Sequence, residues 1–189
     1  MQNNDNKEIE CRFLEIDKEA LVKRLCELGA EDLGEDFLEE IIFYDKELTW
    51  MYKKRTMVRI RKTKEEIFLT YKNKANEADI ASDEIEFEIK NIEKATQFLE
   101  KIGLVAYRKQ EKRRHKFSLK NYIIDIDTWP SVPTYVELEG TSEESLKKLA
   151  SQLGFDWENV VLESPRFIIE ERYGIPVSKL KYFTFDKIE

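Results

Sequence analysis

In seven short runs of this sequence, charged or polar side chains stand two residues apart, in six of them with apolar ones between. Successive side chains of a β-strand point to opposite faces, so residues two apart share a face. Glu8, Glu10 and Arg12 alternate with Ile9, Cys11 and Phe13, and Arg59 and Arg61 with Val58 and Ile60. Thr70 and Lys72 alternate with Leu69 and Tyr71; Glu84, Glu86 and Glu88 with Ile85, Phe87 and Ile89; Asp125 and Asp127 with Ile124 and Ile126; Glu137 and Glu139 with Val136 and Leu138. Lys112, Arg114 and Lys116 share a face within the run KRRHK. An antiparallel sheet with one face on helices and the other in water gives the same alternation. What sets this chain apart from a plain solvated sheet is that most of these faces carry charge of one sign, although like charges on one face repel. That repulsion is tolerable if acidic strands bind cations and basic strands bind an anion. Closing the sheet into a barrel would turn the charged faces inward and leave the apolar faces for an outer layer of helices. Such a tunnel would suit a polyphosphate with hard divalent metals, since carboxylates select Mg²⁺ or Mn²⁺ and guanidinium groups meet phosphate oxygens in pairs.

Three stretches repeat one layout: a strand with glutamates two apart, an amphipathic helix, and a helix-ending glycine. Glu86 and Glu88 precede Asn91 and a helix that should turn Ala95, Phe98, Leu99 and Ile102 inward before Gly103. Glu137 and Glu139 precede Ser142 and a helix with Leu146, Leu149 and Leu153 inward before Gly154. A polar cap and a C-terminal glycine are what helix ends require. Glu8 and Glu10, followed by Leu21, Val22, Leu25, Leu28 and Gly29, follow the same plan with about one more helical turn. The chain thus reads as one domain over 1–189, its core about 6–175, made of two related halves. Further strands are expected at 37–44, 57–62, 67–72, 105–117, 122–127 and 134–139, from their β-branched and aromatic content. Residues 73–82 read as a polar loop, and Trp129-Pro130 with Val132-Pro133 as a stiff connection.

Composition narrows the function classes. With 189 residues, 41% hydrophobic and 38% charged, the chain can bury a core without disulfides and has no long uncharged run to span a membrane. A formal charge of −7 argues against general affinity for nucleic acid or anionic membranes, so any anion site must be local. The first ten residues lack an apolar signal core, and the two cysteines, Cys11 and Cys26, fall in an expected strand and helix; a reduced cytoplasmic setting is the expectation. His115, the single histidine, lies on the face opposite Lys112 and Arg114 and reads as a surface or packing residue, and Cys11 as core. Lys53, Lys54 and Arg55 read as a solvated loop, with a flap over a tunnel mouth as the alternative. There is no glycine-rich phosphate loop, so phosphate must be held by side chains.

Glu8-Ile-Glu10-Cys-Arg12, Val58-Arg59-Ile60-Arg61, Thr70-Tyr71-Lys72, Glu86-Phe-Glu88, Lys112-Arg-Arg114, Asp127-Thr-Trp-Pro and Val136-Glu137-Leu-Glu139 fall in the order found in CYTH-domain proteins. The chain resembles that family, also called the triphosphate tunnel metalloenzymes, over roughly residues 6–175. The resemblance implies an α+β fold: an eight-stranded antiparallel β-barrel with helices packed outside. It implies that Glu8, Glu10, Glu137 and Glu139 hold Mg²⁺ or Mn²⁺, two ions in all, assisted by Asp125 or Asp127, with Glu86 or Glu88 completing an acidic wall. Arg59, Arg61, Lys72, Lys112 and Arg114 would bind the triphosphate. Arg12 departs from the family, which usually has Lys at the end of E-x-E-x-K. Arginine essentially never gives up its proton, so as a catalytic residue it would position phosphate or water rather than accept a proton.

The expected activity is that of a metal-dependent enzyme on a triphosphate, either a triphosphatase or a class IV-like adenylyl cyclase; both need the same electrostatics, and the sequence leaves the choice open. The alternative is a non-catalytic module that captures triphosphate or polyphosphate; three intact E-x-E pairs favour catalysis. The expected partner is a triphosphate-containing small molecule, with no nucleic acid, no membrane and, among macromolecules, at most a second copy of the chain as a homodimer.

Overall fold

The computed structural model describes residues 7–189. Eight strands form the barrel: β1 (Lys7–Phe13), β2 (Glu31–Asp45), β3 (Thr56–Lys62), β4 (Ile67–Asn73), β5 (Ala81–Ile89), β6 (Leu104–Leu119), β7 (Tyr122–Thr128) and β8 (Tyr135–Gly140). They neighbour one another in the order β2-β3-β4-β5-β1-β8-β7-β6, and β2 pairs with β6 to close the ring. Every barrel pairing is antiparallel. The closure joins the two ends of the sheet and fixes which residue parity faces the lumen.

Helices α1 (Lys18–Glu27), α2 (Ile92–Lys101) and α3 (Glu143–Leu153) follow β1, β5 and β8. Asp17, Asn91 and Ser142 cap them by accepting from the backbone N–H groups of Ala20, Lys94 and Ser145. The three strand-helix units expected from the glutamate repeat are present. Their strands are also neighbours, because β1 lies between β5 and β8, so the three acidic strands form one arc of the wall.

Outward-facing apolar residues meet the helices as the alternation requires. Cys11, Ile124, Ile126, Val136 and Leu138 pack with Leu21 and Leu25 of α1 and Leu146, Leu149 and Leu153 of α3. Val58 and Ile60 pack with Leu99 of α2 and Leu104. Two inward expectations fail: Phe98 and Ile102 are 60% and 59% exposed. Helix α2 touches the barrel along Ile92, Ala95 and Leu99; Phe98 points about 100° away from Leu99, and Ile102 lies beyond the last helical residue.

The C-terminal segment was not foreseen in the sequence. Val161 bridges to Arg12, α4 (Pro165–Tyr173) follows, and β9 (Tyr182–Phe183) runs parallel to β6 beside Lys109 and Gln110. Ile169 of α4, Val177 and Phe183 pack with Trp129, Val132 and Tyr135, so the segment walls one end of the barrel. No helix among the described residues is long and apolar enough to cross a membrane.

A charged tunnel as candidate active site

The lumen is a cavity of about 340 Å³ lined by inward residues of all eight strands and, at one end, by the C-terminal segment. Strands β5, β1, β8 and β7 supply Glu84, Glu86, Glu8, Glu10, Glu137, Glu139 and Asp125; β3, β4 and β6 supply Arg59, Arg61, Lys72, Lys112 and Arg114. Acidic and basic arcs therefore face one lumen and pair where they adjoin. Lys72 Nζ meets Glu8, Glu10 at 2.9 Å and Glu84 at 3.1 Å. Arg114 bonds Asp125, both oxygens of Asp127 (2.7 and 2.6 Å) and Glu137 at 2.7 Å. Arg61 forks onto Glu86 at 2.8 and 2.9 Å, while Arg59 reaches Glu40 at 3.2 Å.

Arg12 is buried and held on three sides. Its Nε donates to Glu137 at 2.6 Å, Nη2 lies 2.8 Å from Glu10, and Nη1 donates to the Glu163 carbonyl at 3.0 Å. Burial alone would raise the Glu10 carboxyl, but Arg12 and Lys72 hold it down at about 2. Glu137 is likewise held well below the usual carboxylate range by Arg12, Lys112 and Arg114 against its burial. Other acidic groups move the opposite way. Burial and the neighbouring Glu10 push Glu8 up to about 8, and burial with nearby Asp125 raises Glu139. Asp125 is raised by burial, and its Oδ1 is buried with no hydrogen-bond partner.

These carboxylates are hard oxygen donors of the kind that Mg²⁺ or Mn²⁺ takes. Among the described residues no group of three His, Cys, Asp or Glu side chains converges into a preformed metal cage, because arginine and lysine nitrogens stand between the carboxylates. The under-partnered acids, Asp125 through Oδ1 and Glu139, which forms no ion pair among the described residues, are where a divalent ion fits without breaking a pair.

The expected site residues fall out unevenly. Asp125 and Asp127 both point inward, but Asp127 is wholly buried, clamped by Arg114 and by Lys112 at 2.6 Å, whereas Asp125 lines the cavity. On β5 it is Glu84 and Glu86 that form the acidic wall. Glu88, opposite Phe68 at the rim, is exposed and outside the lining. His115 sits outside, its ring 4.4 Å from that of Phe117 and its Nε2 2.8 Å from Asp32. Cys11 lies in the core, where burial pushes its thiol up to about 12. Lys53 and Lys54 are exposed, while Arg55, left-handed at φ 48°, reaches the cavity edge.

Sequence reasoning missed Glu40, Lys74, Arg108 and Gln110. Glu40 is buried, accepts from Gln110 at 2.6 Å, and is held at about 2, against its burial, by Arg59, Lys112 and Arg61. Lys74 extends the parity of Lys72, and Arg108 and Gln110 extend that of Lys112 and Arg114. Carrying the two-residue step past the ends of the basic runs would have found three of the four.

A family model described as the CYTH domain matches residues 6–164. A search of curated protein sequences returns no match. Among solved structures, a Pyrococcus horikoshii protein is similar at 21% identity and TM-score 0.71, covering 83% of this chain and 96% of that one. A Vibrio parahaemolyticus protein, named a candidate adenylate cyclase, is similar at 17% identity and TM-score 0.73, over 86% and 97% of the two chains. A Hippeastrum protein, a candidate adenylyl cyclase with a dominant triphosphatase activity, is similar at 17% identity and TM-score 0.63, over 88% and 96%. At these identities the likeness shows a shared fold.

Proposed function

The chain belongs to the CYTH family, and from that premise we propose that it is a metal-dependent enzyme that binds a triphosphate inside the tunnel and acts on its phosphoryl chain. The observation that carries the reading is the meeting of an acidic and a basic arc around one lumen. A triphosphate with divalent metal carries both signs of charge, so it can replace the internal partners of both arcs at once. Arg59, Arg61, Lys72 and Arg114 would exchange Glu86, Glu40, Glu8, Glu10 and Asp125 for phosphate oxygens. Lys112, whose partner Asp127 is wholly buried, would keep that pair and act through its field.

Glu8, Glu10, Asp125, Glu137 and Glu139 would hold Mg²⁺ or Mn²⁺. When bound, the metal supplies Lewis-acid polarisation of a phosphoryl oxygen and activation of the attacking oxygen. The cations of β3, β4 and β6 offset the charge that develops on the departing phosphate. For Arg12 the contacts favour a positioning role: with its donors on Glu10, Glu137 and the Glu163 carbonyl, it would fix the spacing of two carboxylates.

The nucleophile, water or a ribose 3′-hydroxyl, separates triphosphatase from cyclase. The test is purified protein with Mg²⁺ or Mn²⁺ and a panel of ATP, tripolyphosphate and thiamine triphosphate, with phosphate and cyclic AMP measured separately. Phosphate release identifies a hydrolase and cyclic AMP a cyclase; neither product from any substrate, with either metal, sinks the proposal.

A further inference from the structure

Among the described residues four cations are buried: Arg12, Lys74, Arg108 and Lys112. Arg12 and Lys112 face carboxylates. Among the described residues the other two hydrogen-bond only to neutral groups. Lys74 Nζ donates to the Leu162 carbonyl, and Arg108 donates to the Gln110 amide oxygen at 2.8 Å and to the Val177 carbonyl at 2.9 Å. A buried charge paired with no carboxylate is costly for a fold to hold, and a ligand of opposite sign would offset that cost.

Both residues line the tunnel, and both are tied to carbonyls of the C-terminal segment, so they belong to the end that this segment walls. Burial lowers both groups. Lys74 falls to about 8, with Arg12 and Lys72 repelling it against a partial offset from Glu10 and Glu77, and on Arg108 the repulsion from Arg166 is set against attraction from Tyr44 and Glu170. Arg166 is itself neutralised by Glu170 at 2.8 Å and Glu77 at 3.4 Å. The rest of the tunnel contrasts with this end, since Arg59, Arg61, Lys72 and Arg114 already have carboxylates as partners.

Resting on the triphosphate reading above, we propose that Lys74 and Arg108 form an anion subsite at the walled end of the tunnel, and that it takes the terminal phosphoryl group of the substrate. A terminal phosphoryl carries close to two charges near neutral pH and three acceptor oxygens, whereas an internal phosphoryl carries about one charge. Two tunnel cations that form no ion pair among the described residues match the terminal group. The substrate then lies with its terminal phosphoryl against the C-terminal segment and any organic group toward the opposite mouth, beside Arg61 and Glu86.

The test is calorimetric titration of tripolyphosphate and, separately, of orthophosphate into wild type, Lys74→Met and Arg108→Met in EDTA, with ligand-free melting curves of all three. Each substitution should weaken tripolyphosphate at least about tenfold while leaving the ligand-free melting temperature unchanged or higher, because a buried unpaired charge is gone. Unchanged tripolyphosphate affinity in both variants overturns the subsite. Loss of orthophosphate binding with tripolyphosphate affinity retained overturns the assignment to the substrate chain, leaving a site for free phosphate. If a variant melts lower, Lys74→Arg and Arg108→Lys, which keep the charge, should restore affinity; failure of both also overturns it. Turnover with Mg²⁺ is a separate measurement: tight, subsite-dependent binding without turnover sinks the enzyme reading and leaves the subsite standing.

Discussion

Arg12 and Glu137 stand opposite each other in the β1–β8 register and are joined by two contacts of 2.6 Å, one from Nε and one from Nη2, with side chains only 2% and 11% exposed. A second carboxylate, Glu10, lies 2.8 Å from the same guanidinium. The planar fork of arginine can bridge two acids and a carbonyl at once, which the single nitrogen of lysine cannot do. Arg12→Ala should therefore cost about 3–5 kcal/mol of stability, since it strands two buried carboxylates. Arg12→Lys should fold with a smaller loss. Because Arg12 acts through the carboxylates, both variants should lower kcat with little change in KM for the triphosphate. A large rise in KM at unchanged kcat would mean that Arg12 touches the phosphate itself. Urea melts and steady-state kinetics on the same preparations read both quantities.

Glu137 and Glu139 look equivalent as a pair two residues apart, but their surroundings separate them. Glu137 is held ionised by Arg12, Lys112 and Arg114, whereas Glu139 is raised by burial and, although Lys116 is near, forms no ion pair among the described residues. Glu137→Gln should destabilise the protein by roughly 3 kcal/mol or more, because it unpairs buried guanidinium groups. Glu139→Gln should be neutral or slightly stabilising without metal, since it removes a charge that the fold disfavours. Both should abolish Mg²⁺-dependent turnover. Sequence alone suggests that removing either acid relieves repulsion; the cations facing Glu137 reverse that expectation at this one position. Thermal melts in EDTA would separate the two, and equal destabilisation would contradict the assignment.

How far the sequence could be read depended on how local each cause was. Parity is local, so Ile60, Ile126 and Leu138 outside and Arg59, Arg114 and Glu137 inside were legible from the alternation, and with them the barrel. The helix ends were legible for the same reason: Asn91 and Ser142 cap, and Gly103 and Gly154 take φ of 96° and 89°. What could not be read is set by partners far along the chain. That Lys74 and Arg108 meet carbonyls rather than carboxylates depends on Leu162 and Val177, which are 88 and 69 residues away. Glu40 was hidden because its face of β2 mixes it with Leu38, Ile42 and Tyr44, so no run of like charge marks it. Glu88 keeps the right parity but sits past the point where the lumen ends.

Lys74 also predicts a pH dependence. Its folded-state pKa is depressed to about 8 from the ordinary lysine value, through burial and the nearby Arg12. Between that value and about 10.5 the unfolded chain binds more protons than the folded one, so this group adds stability as pH rises through the window. Below pH 8 both states are protonated and the full penalty of the buried charge remains. Relative to Lys74→Met, ligand-free wild type should gain on the order of 1–2 kcal/mol between pH 8 and 10, after allowance for screening. Urea unfolding of both proteins across that range checks it, and parallel curves would show that Lys74 titrates as an ordinary lysine.

Glu40 gives the most direct test of whether internal carboxylates hold the place of phosphate. It is 2% exposed, accepts from Gln110 at 2.6 Å, and meets Arg59 at 3.2 Å, a cation proposed to bind the triphosphate. In Glu40→Gln the hydrogen bond to Gln110 can be remade through the amide oxygen, while Arg59 keeps its longer contacts of 3.5 Å to Glu86 and to the Thr70 hydroxyl. The ligand-free protein should lose about 1–3 kcal/mol, the scale of a weakened buried charged hydrogen bond. Tripolyphosphate should then bind more tightly than to wild type, because Arg59 no longer has to leave Glu40 to meet it. Ligand-saturated wild type and variant should consequently melt closer together than the ligand-free proteins do. If Glu40→Gln instead weakens tripolyphosphate in step with its loss of stability, Glu40 supports Arg59 in its binding position, and exchange of partners is not how this part of the tunnel works.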